Sequence, residues 1–290
     1  LNFIKMYNPE YVLILSGDHI YKMDYSKMLR AHIENKADCT IAAIEVPLKE
    51  ASRFGILNTN PDGSIYEFEE KPKQPKSTLA SMGVYIFSAE KMYKYLELDD
   101  DDPNSSKDFG KNVLPAMLNA GERMFAYRFE GYWKDVGTIS SLWEANMDLL
   151  GEHPSFDVAD SAWKIHSRNP LAPPEYLGET AVVTNSMVAL GCEIHGTVEN
   201  SVLSSNVVIE EGATVKDSVI MSGTVIKKGA EVNYSIIDEG VVVNEGAQIG
   251  EDKATAKGIS VLGRSITVGN NAKVAAGAII DKNIMEGEEA

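Results

Sequence analysis

Apolar and polar residues alternate with one rhythm before about residue 150 and with another after 180. In the first stretch, short apolar runs alternate with segments of helical spacing, the pattern of an α/β domain. Strands are predicted at 11–16, 38–46, 54–60, 64–70, 82–88 and 123–129. Tyr11, Val12, Leu13, Ile14 and Leu15 form an unbroken apolar run, which suits a strand covered on both faces. The "NPDG" at 60–63 offers Pro61 and Gly63 for a hairpin turn between two strands. Helices are predicted at 24–37, 89–97, 110–120 and 139–150. The first opens on Asp24, a suitable N-cap, and places Met28, Leu29, His32 and Ile33 on one face. The "DDDDPNSSKD" at 99–108 reads as an acidic, solvated loop.

Residues 151–180 carry Pro154, Pro170, Pro173 and Pro174 without periodicity and read as a linker. Beyond them the chain repeats. Three 17-residue units, 199–215, 216–232 and 233–249, agree on Ser201, Ser218, Ser235 and on Gly212, Gly229, Gly246. Aliphatic residues recur in three columns: Leu203, Ile220, Ile237; Ile209, Ile226, Val243; Val215, Val232, Ile249. The column spacings of six, six and five residues exclude a helical period and fit a coil of three short strands per turn. A weaker unit at 183–198 precedes them, and 258–280 continues less regularly. The expectation is a left-handed parallel β-helix of four to five coils. The organisation is then an α/β domain at 1–150, a linker at 151–180 and a β-helix at 181–290.

A hydrophobic fraction of 44% in 290 residues supports a large core, while a net charge of −16 argues against nucleic acid or an anionic membrane as the main partner. A small anionic ligand could still be held by a few local cations. Cys39 and Cys192, far apart in apolar surroundings, read as core thiols of a reducing compartment. No apolar stretch approaches the ~20 residues of a membrane span and no leader is visible, so a cytoplasmic location is expected. The chain starts at Leu1 and enters almost at once a strand that needs neighbours, so a fragment of a longer protein is expected.

Asp18, in "SGDHIYKMDY", follows the first strand at its carboxyl end, where open α/β sheets bind ligands. Ser16 and Gly17 are expected to let the backbone open there without bulk. An S-G-D of this kind also closes ordinary turns. Asp135 lies in "YWKDVG", read as a short exposed turn flanked by Gly131 and Gly137.

An α/β half joined to a hexapeptide β-helix, with "SGDHIYKMDY", "EKP" at 70–72, "SMG" at 81–83, "SSKDFGK" at 105–111 and "YWKDVGT" at 132–138, closely resembles the glucose-1-phosphate adenylyltransferase family of bacterial glycogen synthesis. The resemblance runs over nearly the whole chain. It implies a nucleotidyltransferase domain with a Rossmann-like mixed sheet of the GT-A type. It implies that ATP and α-D-glucose 1-phosphate give ADP-glucose and pyrophosphate, with Mg²⁺ as cofactor. A homotetramer under allosteric control, or an assembly with a related regulatory subunit, is implied as well. One departure stands out: the family's glycine-rich loop, followed by an arginine and a lysine, holds the triphosphate through backbone N–H groups and has no counterpart here. The isolated chain is therefore expected to be inactive.

The resemblance carries roles onto particular residues. Asp18 and Asp135 become the carboxylate ligands of Mg²⁺, which prefers carboxylates and phosphate oxygens in octahedral array. Together with Lys71 they are the candidate catalytic residues. Glu70 and Lys71 leave a strand just before Pro72, which ends the ladder, so Lys71 can set a point charge on the phosphate while Glu70 accepts from sugar hydroxyls. Gly55, Ser81, Asp108 and Phe109 complete the implied glucose 1-phosphate contacts, and Trp133 is read either as packing beneath the sugar ring or as a buried structural residue. His19 is read as orienting Asp18 or packing, since a phosphate dianion is an adequate nucleophile without a base. His195 stands alone in an irregular coil, a poor basis for acyl transfer. The alternatives are a non-catalytic regulatory subunit, which would be expected to lose its metal carboxylates, and a related enzyme such as mannose 1-phosphate guanylyltransferase.

Overall fold

The computed structural model describes residues 1–167 and 170–290. The chain divides into two compact units, Leu1–Trp133 and Lys134–Ala290. The first unit runs α1 (Asn2–Lys5), β1 (Tyr11–Ile14), β2 (His19–Tyr21), α2 (Tyr25–Glu34), β3 (Cys39–Glu45), α3 (Leu48–Ala51), β4 (Gly55–Thr59), β5 (Ile65–Glu70), β6 (Leu79–Ser88), α4 (Ala89–Asp101), a π-helical turn (Phe109–Val113), α5 (Leu114–Asn119) and β7 (Met124–Arg128). Trp133 opens β8 (Trp133–Asp135).

The mixed sheet has the order β5-β4-β6-β3-β7, with β1 also joined to β6. Within it β3 and β7 pair in parallel, whereas β1, β3 and β4 all run antiparallel to β6. Because β6 is ten residues long, β4 can pair at Ala80 while β1 takes Tyr85 to Ser88 further along. Period-two alternation along β6 sends Leu79 and Phe87 into one apolar cluster with Met92 of α4 and Met117 of α5. Met82, Val84 and Ile86 enter another with Met28 of α2. The Asp24 carboxylate caps α2 by accepting from the Ser26 amide at 3.0 Å.

The structure alters several sequence expectations. Among the described residues β1 pairs with β6 alone, and Leu13 and Leu15 are 38% and 46% exposed, so its apolar run is not covered on both faces. Ile33 is exposed; the buried stripe of α2 is carried by Met28 and His32. α4 continues through Asp99, Asp100 and Asp101, where the sequence suggests a loop. Trp133–Asp135 is a half-buried strand rather than an exposed turn.

In the second unit, Thr138 and Ser141 form a capping box at the start of α6 (Ile139–Met147). Trp143 of this helix packs with Val219, Ile236 and Ile259, and its Nε1 donates to the Asp217 carbonyl at 2.7 Å. That anchorage places α6 in the second compact unit. Of the stretch read as linker, residues 168 and 169 lie outside the described residues.

Three six-stranded parallel sheets follow, the faces of a left-handed parallel β-helix. There are more coils than the four to five expected, because Tyr176–Leu177, inside that linker stretch, already pairs with Glu193–Ile194, and Ile279–Ile280 still pairs with Val261 and Leu262. All three aliphatic columns are buried in one continuous core. Their members stand in direct register, Ile209 on Ile226 and Ile226 on Val243. At one corner Ser201, Ser218 and Ser235 are fully buried and form a ladder. The Ser218 amide donates to the Ser201 hydroxyl at 3.0 Å and the Ser235 amide to the Ser218 hydroxyl at 3.1 Å, so hydroxyls replace missing strand partners. Ser260 stacks on Ser235 after 25 residues rather than 17, the surplus being extruded before Ile259 without loss of register. Among the described residues, no helix is long and apolar enough to cross a membrane.

Replacing Ile226 by Asp puts an unpaired carboxylate between Ile209 and Val243 and is expected to cost several kcal/mol by chemical denaturation, roughly the penalty of burying a charge without a partner. Glu231→Lys, on the exposed side of a neighbouring strand, should stay within about 0.5 kcal/mol. Equal effects would refute the inward assignment of this column.

Candidate active site

Strand pairing sets Gly55, the first residue of β4, opposite Glu70, the last of β5. A Cβ at Gly55 would lie 2.5 Å from Phe68 Cζ and 3.0 Å from Glu70 Oε2, and one at Gly110 would lie 2.5 Å from the same oxygen. The Glu70 carboxyl is therefore seated in space that only two glycines leave open. Its side chain is 22% exposed, with Lys71 Nζ at 3.8 Å. Among the described residues no hydrogen bond to this carboxylate is found. Burial, aided by the Asp108 charge, raises its pKa against the opposing pull of Lys71 and Lys111.

Lys71 has a left-handed backbone, φ 47°, and its amide donates to the Phe54 carbonyl at 3.1 Å. The turn leaves its side chain 65% exposed, with Glu70 as its one close carboxylate among the described residues. Asp108 caps the π-helical turn, Oδ1 accepting from the Lys111 amide at 2.9 Å. Phe109 stacks on Tyr85 with centroids 5.7 Å apart and planes at 20°. Ser81, Gly83 and Tyr85 share one face of β6. The Ser81 hydroxyl accepts from the Gly83 amide at 3.3 Å, and burial holds the Tyr85 phenol up at about 12. Gly55, Gly110, Lys71 and Asp108 thus lie about the Glu70 carboxylate, with Phe109 between Asp108 and Gly110 in the chain. Tyr85 is a member of this neighbourhood that the sequence analysis missed; the alternation that pairs it with Ser81 was the available signal.

Asp18 follows β1 by four residues, its Oδ1 accepting from the Ser16 hydroxyl at 2.7 Å and lying 3.6 Å from His19 Nε2. Gly17 is not required there, since an added Cβ meets open space. His19 Nδ1 is 2.8 Å from the Met82 carbonyl, which makes it the protonated nitrogen and leaves Nε2 toward Asp18. Gly83, at φ 66°, is required beneath this ring, because a Cβ would lie 3.2 Å from His19 Cε1. Trp133 packs edge-on against both His19 and Phe54 at 5.2 Å, and its buried Nε1–H has no hydrogen-bond partner among the described residues. In the second unit, Asp135 ends β8 and its Oδ1 accepts from the Gly137 amide at 2.9 Å. His195 packs its ring against Tyr176 on the β-helix.

These strand-end carboxylates, a glycine-lined glutamate beside an exposed lysine, and a following β-helix define a class. Residues 1–152 match the Nucleotidyl transferase family, and residues 175–259 match the "GlmU-like, C-terminal hexapeptide" family. The chain belongs to the nucleotidyl transferase family. Within it, the chain is 60% identical over 213 residues to the glucose-1-phosphate adenylyltransferase of Clostridium perfringens (strain 13 / Type A), covering 73% of this chain and 54% of the relative. It is 60% identical over 209 residues to the protein of the same name from Clostridium botulinum (strain Eklund 17B / Type B), covering 72% and 54%. For that of Bacillus thuringiensis subsp. konkukian the figures are 59% over 213 residues, 73% and 57%. The matched part thus spans about half the length of these relatives.

Burial that raises a carboxyl pKa disfavours its charged form in the folded state, so the group's contribution to stability declines as pH rises from the ordinary glutamate range through the raised value. Glu70→Gln should therefore raise the melting temperature at pH 7 relative to wild type, with the gain shrinking toward pH 4. A difference independent of pH in parallel thermal melts would refute the raised pKa of Glu70.

Proposed function

We propose that this chain acts in adenylyl transfer from ATP to α-D-glucose 1-phosphate, giving ADP-glucose and pyrophosphate for glycogen synthesis. The observation that carries the reading is the Glu70 carboxylate, seated between Gly55 and Gly110 without a hydrogen bond among the described residues and next to the exposed Lys71 ammonium. Left unsatisfied, such a carboxylate is costly, and sugar hydroxyls would satisfy it. Lys71 would hold the phosphate as a point charge, and the Phe109–Tyr85 stack offers an apolar wall for the ring.

As the family resemblance implies, Asp18 of the first unit and Asp135 of the second would be the carboxylates that hold the metal ion. Two carboxylates suit Mg²⁺, with its remaining positions left to phosphate oxygens and water. Such an ion, when bound, neutralises the oxygens on both sides of the α-phosphorus. The chain's own part is to orient: Ser16 fixes one oxygen of Asp18, the Gly137 amide fixes one of Asp135, and Lys71 holds the sugar phosphate in line for attack. Presence of Asp18, Lys71 and Asp135 supports a catalytic chain over a regulatory one. A homotetramer in the cytoplasm, assembled in part through the β-helix, completes the proposal.

Titrating the chain with α-D-glucose 1-phosphate should show binding that Lys71→Ala weakens at least about tenfold, or ~1.4 kcal/mol, without a change in melting temperature. A fusion supplying the parts of the C. perfringens relative that this chain does not span should release pyrophosphate from ATP and glucose 1-phosphate. Asp18→Asn should cut that turnover about 100-fold, ~2.7 kcal/mol of transition-state stabilisation, with the fold intact. Near-normal turnover at saturating Mg²⁺ would sink the metal assignment, and preferential use of GTP with mannose 1-phosphate would replace the adenylyl reading.

A further inference from the structure

Helix α4 ends against its own electrostatics. Asp99, Asp100 and Asp101 occupy its last turn and Asp102 follows as C-cap, with no basic residue in that turn. The carboxyl end of a helix carries partial negative charge and carbonyls without partners, so four aspartates there repel both the dipole and one another. The compensation comes from Lys107, five residues past the cap. Its ammonium donates to the carbonyls of Asp99, Asp100 (2.7 Å) and Asp102 (3.2 Å), with an Asp100 carboxylate oxygen at 3.9 Å. Three carbonyls match the three hydrogens of an ammonium.

To reach them, Lys107 adopts φ 58°, a left-handed conformation costly for a residue with a side chain. A second tether lies alongside: the Lys107 amide donates to the Ser105 hydroxyl at 2.9 Å, and that hydroxyl donates to the Asp99 carboxylate. Directly after Lys107 come Asp108 and Phe109. Asp108 is held by the Lys111 amide, while the Ser106 hydroxyl donates to Asn112 Oδ1 at 2.7 Å, an oxygen that also receives the Asp108 amide at 3.4 Å. Without the ammonium, the loop would keep its attachment to the π-helical turn and lose its main attachment to α4.

Building on the sugar-phosphate reading above, we propose that Lys107 is a positioning residue: its ammonium clasps the acidic end of α4 and thereby fixes Asp108 and Phe109 at the candidate site. It acts on that site only through the loop.

Amide hydrogen exchange tests the clasp without any ligand. In Lys107→Met, the Lys111 and Asn112 amides, which donate to Asp108, should exchange about tenfold faster, as a local opening made easier would require, while β6 amides keep their rates. Lys107→Arg should restore protection to within about threefold, since it keeps charge and donors. Titration with α-D-glucose 1-phosphate should then show affinity lowered about tenfold in Lys107→Met and recovered in Lys107→Arg, the scale of a small misplacement of binding groups. Unchanged Lys111 and Asn112 exchange in Lys107→Met overturns the clasp. Faster exchange with wild-type affinity overturns its role at the site. Failure of the wild-type chain to bind the sugar phosphate counts against the functional reading, and exchange alone then decides the clasp. Should Lys107→Met not fold, Ser105→Ala, which cuts the parallel tether, gives the same two readouts.

Discussion

One strand holds the first unit together. β6 pairs with β3 along one edge and divides its other edge between β4 and β1, so four strands share one hydrogen-bonded frame. Its two faces feed two separate apolar clusters. The pairing with β3 shifts register between Tyr85 and Ser81, and the single glycine of the strand, Gly83 at φ 66°, sits at that irregularity, where a histidine ring presses on the backbone. The candidate site inherits its rigidity from this strand, because Ser81 and Tyr85 project from it and His19 bonds to its Met82 carbonyl.

Around this strand the chain leaves certain polar groups uncompensated. Glu70 is kept largely from water and from hydrogen-bond donors alike, and the Trp133 indole N–H is buried without an acceptor among the described residues. Folding alone does not favour either arrangement. Elsewhere the same chain satisfies its polar groups closely, as at Glu122, where Lys91, Lys94 and Tyr95 converge and hold the carboxyl down at about 2. The contrast separates a carboxylate satisfied by three donors from one that has none among the described residues.

Much of this was legible in the sequence, for reasons that can be named. The β-helix was readable because each coil repeats the same contacts, so one period fixes Leu203, Ile220 and Ile237 together. Strands β3 to β7 were readable from apolar runs bounded by turn residues. What sequence missed depended on distant partners. β1 looks like a central strand because its residues are apolar, yet pairing is decided by neighbours that the run does not encode. Asp99, Asp100 and Asp101 look like a solvated loop, and they become helical where the Lys107 ammonium arrives from a later turn. Tyr85 was hidden as one more aromatic residue in an apolar strand; its alternation with Ser81 was the one signal, and its stack on Phe109 makes the neighbourhood plain.

The extruded segment before Ile259 shows how the second unit can change. Ser260 stands in register with Ser235, its amide donating to the Tyr234 carbonyl, and Val268 still stacks on Val243, although eight extra residues separate these coils. Loop closure grows only slowly with loop length, so a corner can absorb such an insertion at small cost while the stack below keeps its place. A solenoid of this kind is a scaffold on which appendages can be gained or lost one corner at a time. Its surface can diversify while its interior stays the same.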